Sequence, residues 1–374
     1  MKLIFITRKI DRGDALTGFV FTWLAALAKN LDRLYVICQE KGDTSGLPAN
    51  VEIRSFGKER GFGRLRQGYE LFRLSYRFAG QAAGFFVHMH PIYAIIAWLP
   101  AKLRGRKVIL WYTHKSVDFK LRLAHTLVDR VLTASPESFR LLSRKVKVVG
   151  HGIDLRKFAP LPNPLHQGEG RYNKRVSSPP RGGGEVGRRK FRIISIGRIS
   201  PVKDYESLLK AVEILVNHKG VKDMTVEVYG RVGLPEHQGY LDSLIEFVHN
   251  ADLEDCVKFQ GELSYEFVDE ILHEADLFIN MSGTGSIDKA VLEAAAAGLL
   301  VISANEAFAE PLAKISPLFV VQRDEPEKLA EKILAIKSLN TGQKQSLREQ
   351  LMPWVRKEHA LENLVKKIIA EFKE

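Results

Sequence analysis

Acidic residues are scarce in the first part of this chain. Residues 1–160 hold 12 Asp and Glu against 28 Lys and Arg, a balance of +16, whereas residues 191–374 balance to −9. The intervening 161–190 adds +5, which brings the 374-residue chain to +12. A basic first half suits an anionic partner such as a lipid headgroup or a phosphorylated acceptor. Nucleic acid is not expected, because no RRM, KH or zinc signature accompanies the charge. Cysteine is nearly absent. Cys38 and Cys256 are the only two, with no CxxC or zinc spacing. That excludes a disulfide scaffold and a redox pair and leaves two small core residues of a reduced, cytoplasmic protein. Long hydrophobic runs are also missing. The most apolar stretch, 82–101, is interrupted by His88, His90, Pro91 and Pro100, whereas a bilayer-spanning helix needs about 20 mostly apolar residues. It is expected to form buried α/β core, with no transmembrane helix. The apolar run behind Met1 is too short for a signal peptide. His88 and His90 have no third ligand nearby, so no metal site is expected.

What is present is alternation. Short β-branched runs are predicted as strands at 2–7, 33–39, 51–56, 84–88, 107–112, 130–134 and 146–150. A second set follows at 191–196, 225–229, 257–260, 277–280, 300–303 and 318–321, with helical patterns between them. Two parallel α/β sheets in tandem is the architectural expectation. The boundaries read as a Rossmann-like domain over 1–160, a basic insertion over 161–190, a second Rossmann-like domain over 191–350, and C-terminal helices over 351–374. Those helices are expected to cross back to the first domain, broken at Pro353-Trp354. The insertion contains Ser177-Ser178-Pro179-Pro180-Arg181 and a triple glycine. It has too little apolar surface to offset its ordering entropy and is expected to be disordered.

Two motifs carry chemistry. Ser195-Ile196-Gly197-Arg198 ends a strand and leads through Lys203 into a helix. Two cations beside the free N–H groups of a helix start suit a diphosphate, with arginine gripping oxygens in pairs and lysine acting as a point charge. A pair of solvated surface charges fits the same residues. The second motif runs from Met281 to Gly298: a Gly- and Ser-rich turn, Gly285-Ser286-Ile287-Asp288-Lys289, then a helix of small residues carrying Glu293. This loop lies at the carboxyl ends of strands, where open α/β sheets bind ligands. Glu293 in an apolar run needs a partner, either a ribose diol or an Arg or backbone donor of the protein. In the first half, Tyr112-Thr113-His114-Lys115 and His88-Met89-His90 likewise end strands. A basic amphipathic stretch from Arg54 to Arg77 interleaves seven Lys and Arg with aromatic and leucine residues, a pattern that lies on anionic membrane or packs on its own domain.

Together these residues resemble glycosyltransferase family 4, a retaining family of the GT-B fold. The resemblance rests on Gly197-Arg198 with Lys203, on Leu292-Glu293-Ala294 with Gly298, and on His151-Gly152-Ile153-Asp154 with Phe158. It implies two Rossmann-like domains facing an interdomain cleft and transfer of a sugar from a nucleotide-diphosphate donor to a hydroxyl of a glycan or lipid-linked acceptor, a hexosyltransferase-like reaction. It implies Arg198 and Lys203 on the donor diphosphate, Glu293 on the ribose, and His114 near the sugar. Gly197, Gly285, Ser286, Asp288 and Lys289 complete the donor side, and Gly18, His90 and Lys115 the acceptor side, with no metal or other cofactor. The partners implied are the nucleotide-sugar, a cell-envelope glycan or lipid-linked acceptor, and an anionic membrane surface on the cytoplasmic side. The sequence departs from the family pattern in two places. Gly285 stands where the family has the first Glu of its E-x7-E motif, with Asp288 as a substitute carboxylate, and the usual Gly-Gly turn after the first strand is replaced by residues 8–18, with Gly13 and Gly18 the only flexible points. A sugar-nucleotide epimerase or hydrolase, or a non-catalytic sugar-nucleotide or polyanion-binding protein, are the alternatives.

Overall fold

The computed structural model describes residues 1–159, 189–283 and 285–373. They form two compact units. Unit 1 comprises Met1–Asp154 with Ser264–Glu266 and Glu358–Glu374, and unit 2 comprises Leu155–Leu263 with Phe267–Lys357. All but Arg189 and Lys190 of the insertion expected at 161–190 lies outside the described residues.

Unit 1 is built on seven strands: β1 (Lys2–Ile10), β2 (Arg33–Lys41), β3 (Val51–Ser55), β4 (Gly84–His88), β5 (Lys107–Trp111), β6 (Arg130–Thr133) and β7 (Val146–Val148). Every pairing is parallel, in the order β3-β2-β1-β4-β5-β6-β7. Parallel strands covered on both faces read as continuous apolar runs, and Leu3–Ile6 and Phe85–Val87 are buried without interruption. β1 is longer than the apolar run suggests. Its ladder with β2 continues to Ile10↔Lys41, so Arg8 and Lys9 belong to the strand.

Helices α2 (Arg64–Ala79), α3 (Pro91–Leu103) and α4 (Phe119–Leu127) pack side by side in unit 1. α1 (Gly18–Ala28) packs against α12 (Leu361–Glu371), the helix that returns from the far end of the chain. That return is tied in by polar contacts. Glu371, 5% exposed, pairs with Lys147 at 2.5 Å and with Arg130 at 3.7 Å. Lys367 Nζ donates to the Val149 carbonyl at 2.9 Å. The N–H groups of Gly152 and Ile153 donate to the His359 carbonyl at 3.1 and 2.7 Å.

Unit 2 carries β8 (Phe191–Ile196), β9 (Met224–Tyr229), β10 (Val257–Gly261), β11 (Leu277–Asn280) and β12 (Leu300–Ser303), all parallel, in the order β10-β9-β8-β11-β12. Its helices are α5 (Tyr205–Glu213), α6 (Gln238–Asn250), α7 (Val268–His273), α8 (Lys289–Ala296), α9 (Glu306–Ile315), α10 (Pro326–Ser338) and most of α11 (Thr341–His359).

Two expectations are corrected here. The sixth strand at 318–321 is a 3₁₀ turn, Pro317–Phe319, followed by a single bridge between Ser303 and Val320. Ser316 accepts a bond from the Leu318 N–H at 3.2 Å, and Pro317 starts the turn, so only one residue remains to pair. The helix break is not at Pro353-Trp354, because α11 runs through Pro353. It falls at Ala360, whose ψ is 138°. There the His359 carbonyl bonds outside the helix and Ile153 bridges Ala360.

Both sheets reverse direction once. In unit 1 the reversal lies between β1 and β4, and in unit 2 between β8 and β11. Open α/β sheets bind ligands at the carboxyl ends of the strands flanking such a switch point.

Candidate functional site

In unit 2 the two sequence motifs stand at those strand ends. Gly197 and Arg198 follow β8, and the loop from Met281 to Asp288 follows β11. The Gly197 carbonyl accepts the Tyr205 hydroxyl at 3.1 Å. A Cβ on Gly230 would lie 1.8 Å from that carbonyl oxygen, so position 230 admits only glycine. Asp204 turns the chain into α5 with φ 50° and ψ 53°, the left-handed region that short polar side chains tolerate best after glycine. Its carboxylate caps the helix, accepting from the Ser207 N–H at 3.4 Å and the Ser207 hydroxyl at 3.0 Å.

Lys203 is joined to Asp288 across the switch point, with side chains 15% and 13% exposed. Asn280 Nδ2 donates to the same carboxylate oxygen of Asp288 at 2.9 Å, and the other oxygen takes the Ala290 N–H at 3.4 Å, capping α8. Burial pushes the Asp288 carboxyl up, but the Lys203 charge and these hydrogen bonds together hold it below the ordinary carboxylate range. Lys203 and Asp288, one from each motif, thus face each other directly. Arg198 is exposed, and among the described residues no ion pair is recorded for it.

Glu293 is 2% exposed and pairs with Lys289, one turn earlier on α8, at 2.6 Å. Its partner is thus a lysine, neither the arginine nor the backbone donor expected as the alternative to a ribose. Gly285 has φ 66°, a conformation that suits glycine. Ser286 is buried, and its carbonyl accepts Asn305 Nδ2 at 2.7 Å. Gly197, Lys203, Gly285, Ser286, Asp288, Lys289 and Glu293 are thus gathered at one end of the unit 2 sheet, with Arg198 at its edge.

In unit 1 the first-half residues gather at the ends of β4 and β5. A cavity of about 340 Å³ is lined by Met89, His90, Tyr112, His114, Asp118 and Lys120, among others. Met89 has φ 66°, unusual for a non-glycine residue and a mark of local strain. His90 precedes Pro91 at the start of α3, its ring 4.8 Å from that of Tyr93. Burial, with the Arg8 charge adding to it, lowers the His90 pKa to about 4, so the ring is neutral at pH 7. His114 is exposed and its Nδ1 accepts the Ser116 N–H at 3.1 Å, which leaves the proton of a neutral ring on Nε2. Lys115 is exposed on the same loop. Gly18 stands elsewhere, at the start of α1. A Cβ there would lie 2.7 Å from the Tyr265 Cβ, so close packing accounts for this glycine. It does not line the cavity.

His88, at the end of β4, is buried, its Nδ1 3.2 Å from the Thr7 hydroxyl. Burial first, then the charges of His90, His151 and Arg8, lower its pKa to about 3. Phe5, Phe19 and Trp23 surround the ring. These contacts pack His88 into the core of unit 1.

Three features were not legible as site components. The Lys203–Asp288 pair joins residues 85 apart in sequence. Arg323, in a segment expected to be strand and turn, reaches Asp204 at 3.2 Å. Arg8 lies on β1 and lowers the pKa of both His88 and His90. The signal for Arg8 was its place directly after an apolar strand core.

The architecture defines a class. Two Rossmann-like parallel sheets in one chain are the GT-B fold, and HepE of Anabaena, solved in complex with UDP and glucose, matches over all of both chains with a TM-score of 0.77 at 17% identity. The second half carries a family signature as well. Residues 184–352 match the profile of the glycosyl transferases group 1. Gly197, Arg198, Lys203, Gly285, Ser286, Asp288, Lys289 and Glu293 all lie inside that match. Among curated proteins, the chain is 23% identical over 229 residues to mannosylfructose-phosphate synthase of Agrobacterium fabrum, covering 56% of this chain and 46% of that protein. It is 32% identical over 121 residues to the amylovoran biosynthesis glycosyltransferase AmsK of Erwinia amylovora, covering 31% of this chain and 28% of that protein. The matched stretches therefore span less than half the length of either relative.

Proposed function

We propose that the protein is a glycosyltransferase that moves a sugar, with retention of anomeric configuration, from a nucleotide-diphosphate donor to a hydroxyl of a glycan or lipid-linked acceptor of the cell envelope. The observation that carries this is the convergence of Lys203, Asp288 and Arg198 at the β8/β11 switch point inside a group 1 glycosyltransferase domain. Lys203 exchanges its bond to Asp288 for the donor diphosphate, and Arg198 closes on the same group. Their charge stabilises the leaving diphosphate as the sugar–phosphate bond breaks, a task in which one well-placed donor contributes about 3 kcal/mol. The leaving phosphate accepts the proton of the attacking hydroxyl on the same face of the sugar. Glu293 exchanges Lys289 for the ribose diol, and Asp288 with the Gly285–Ser286 backbone contacts the sugar. No step calls on a metal. Unit 1 binds the acceptor at the cavity of His90, His114 and Lys120, with Lys115 beside it.

The same reading sets unit 1 on an anionic membrane surface. No helix among the described residues is long and apolar enough to cross a membrane. However, the layer formed by α2, α3 and α4 exposes Leu65, Tyr69, Leu99, Leu103 and Phe119, with Leu65 93% and Phe119 77% exposed. Arg64, Arg66, Arg73, Arg77, Lys102, Arg104, Lys120 and Arg122 are interspersed on the same helices. Apolar side chains enter the headgroup boundary while each cation near it contributes about 1 kcal/mol.

The test is a thermal shift of the full chain against UDP-, GDP-, ADP- and TDP-sugars without added metal. UDP-sugars come first, because UDP is bound in the HepE structure. A donor at 100 times its dissociation constant adds about 2.7 kcal/mol of stability. A shift with one base and none with the others supports the transferase. A folded protein that responds to no donor refutes it in favour of polyanion binding.

A further inference from the structure

We infer that Arg323 is a third cation for the donor's diphosphate, beside Arg198 and Lys203. This rests on the donor site proposed above and adds a binding residue to it.

Arg323 follows the bridge between Ser303 and Val320, which brings it to the carboxyl end of the unit 2 sheet. The next residue, Asp324, has φ 56° and turns the chain away toward α10. The arginine side chain lies across the β11 loop. A Cβ at Gly283 would sit 2.7 Å from its Cδ and 2.8 Å from its Nη1. A side chain at position 283 would push this arginine off its crossing. Gly283 also donates its N–H to the Val202 carbonyl at 3.2 Å, one residue before Lys203. The Arg323 crossing is thus adjacent to the lysine in space.

The guanidinium is held by one edge. Nε donates to Asp204 Oδ2 at 3.2 Å. Asp204 is 4% exposed and is itself fixed by capping α5. A guanidinium has five N–H donors, and among the described residues Asp204 engages one. The side chain is 42% exposed. An arginine whose Nε is clamped by a buried carboxylate, and whose other donors reach solvent beside a glycine loop, is preorganised for the paired oxygens of a phosphate. Asp204 fixes one edge of it and leaves the other N–H donors to act. With Lys203 already paired to Asp288, Arg198 and Arg323 are the two arginines at this strand end that meet an arriving diphosphate.

The experiment measures binding of UDP, GDP, uridine and guanosine by calorimetry to the wild type, Arg323→Ala, Arg323→Lys and Arg198→Ala. The expected result for Arg323→Ala is a loss of roughly 10–100-fold in affinity for the nucleoside diphosphate that the wild type binds. The affinity for the matching nucleoside stays unchanged, and Arg323→Lys recovers part of the loss. Equal weakening of diphosphate and nucleoside marks Arg323 as a support for Asp204 only and overturns the inference. So does wild-type diphosphate affinity in Arg323→Ala while Arg198→Ala loses it. If Arg323→Ala does not fold, Arg323→Lys decides: a compact cation without the fork binds the diphosphate more weakly than wild type, or the inference fails. A wild type that binds neither diphosphate overturns the donor site itself.

Discussion

Replacing Lys203 by alanine separates an enclosed ion pair from a solvated one. Asp288 is 13% exposed and keeps only Asn280 and a helix N–H when the lysine is gone. Removing one partner of an enclosed pair costs about 3–5 kcal/mol, because the remaining charge is left uncompensated. For a domain of 150–250 residues, 1 kcal/mol moves the melting temperature by about 2–4 °C, so the unit 2 transition should fall by roughly 6–20 °C. Asp288→Asn should cost less, since the lysine can extend toward water. The double variant Lys203→Ala, Asp288→Asn should recover about 1–3 kcal/mol relative to additivity. The pH dependence carries the sign. In the wild type the Asp288 carboxyl is depressed below its ordinary value. Its contribution is therefore present above the unfolded pKa, near 3.9, and is lost as pH falls through the lower folded value. Without Lys203 burial dominates and the carboxyl rises, so the deficit is greatest at neutral pH and shrinks toward pH 4. Thermal unfolding of the four proteins at pH 7 and pH 5 gives the result. Additive losses below about 1 kcal/mol, with no narrowing at acid pH, would refute this account and class the pair with solvent-screened surface bridges.

Three other outcomes are expected. His88, His90 and His359 have pKa values lowered to about 3, 4 and 4, in each case first by burial. The unfolded chain takes up their protons first, so unit 1 should lose stability as pH falls from about 6.5 toward 4, and His88→Phe should flatten a urea-unfolding series across that range. Gly285→Ala places a side chain at φ 66° and should cost about 1–2 kcal/mol in chemical denaturation; an unchanged midpoint would show that the loop relaxes freely. Glu371→Ala leaves Lys147 and Arg130 without their shared carboxylate, and should raise hydrogen exchange across α12 while leaving the unit 2 amides unaffected.

The strands were legible because burial on both faces writes them as apolar runs, and the observed β4, β8 and β11 span the predicted residues. The polar tail of β1 was not, since Arg8 and Lys9 are kept in the strand by ladder bonds to β2 that no local pattern encodes. Pro353 misled for a related reason. A proline in a helix interior costs about 3 kcal/mol, yet α11 continues through it with Trp354 packed edge-on to Phe308, 6.2 Å between ring centroids. In the candidate site, Arg198, Lys203 and Glu293 were singled out by their place at strand ends and helix starts together with the family resemblance. Their immediate partners could not be, because Asp288 reaches Lys203, and Arg323 reaches Asp204, only after separate crossovers bring their loops together. Lys289 was the exception: it lies one helical turn from Glu293, and its ion pair follows from i,i+4 geometry alone.

The return of α12 to unit 1 has a consequence for how the protein is made. The Trp23 indole donates to the Gly152 carbonyl at 2.9 Å, and Gly152 takes its own anchor from His359. On the ribosome, the first 154 residues emerge long before residues 358–374 exist to cover α1. At 5–20 residues per second the wait is roughly 10–40 s. During that interval the edge of α1 and the ends of β6 and β7 stand open, while almost all of unit 2 is translated and free to fold. Most of the second unit can therefore fold before α12 emerges to close the first. Chaperones that bind nascent apolar surface should dwell on the early part of this chain, and truncations before Glu358 should be held by them.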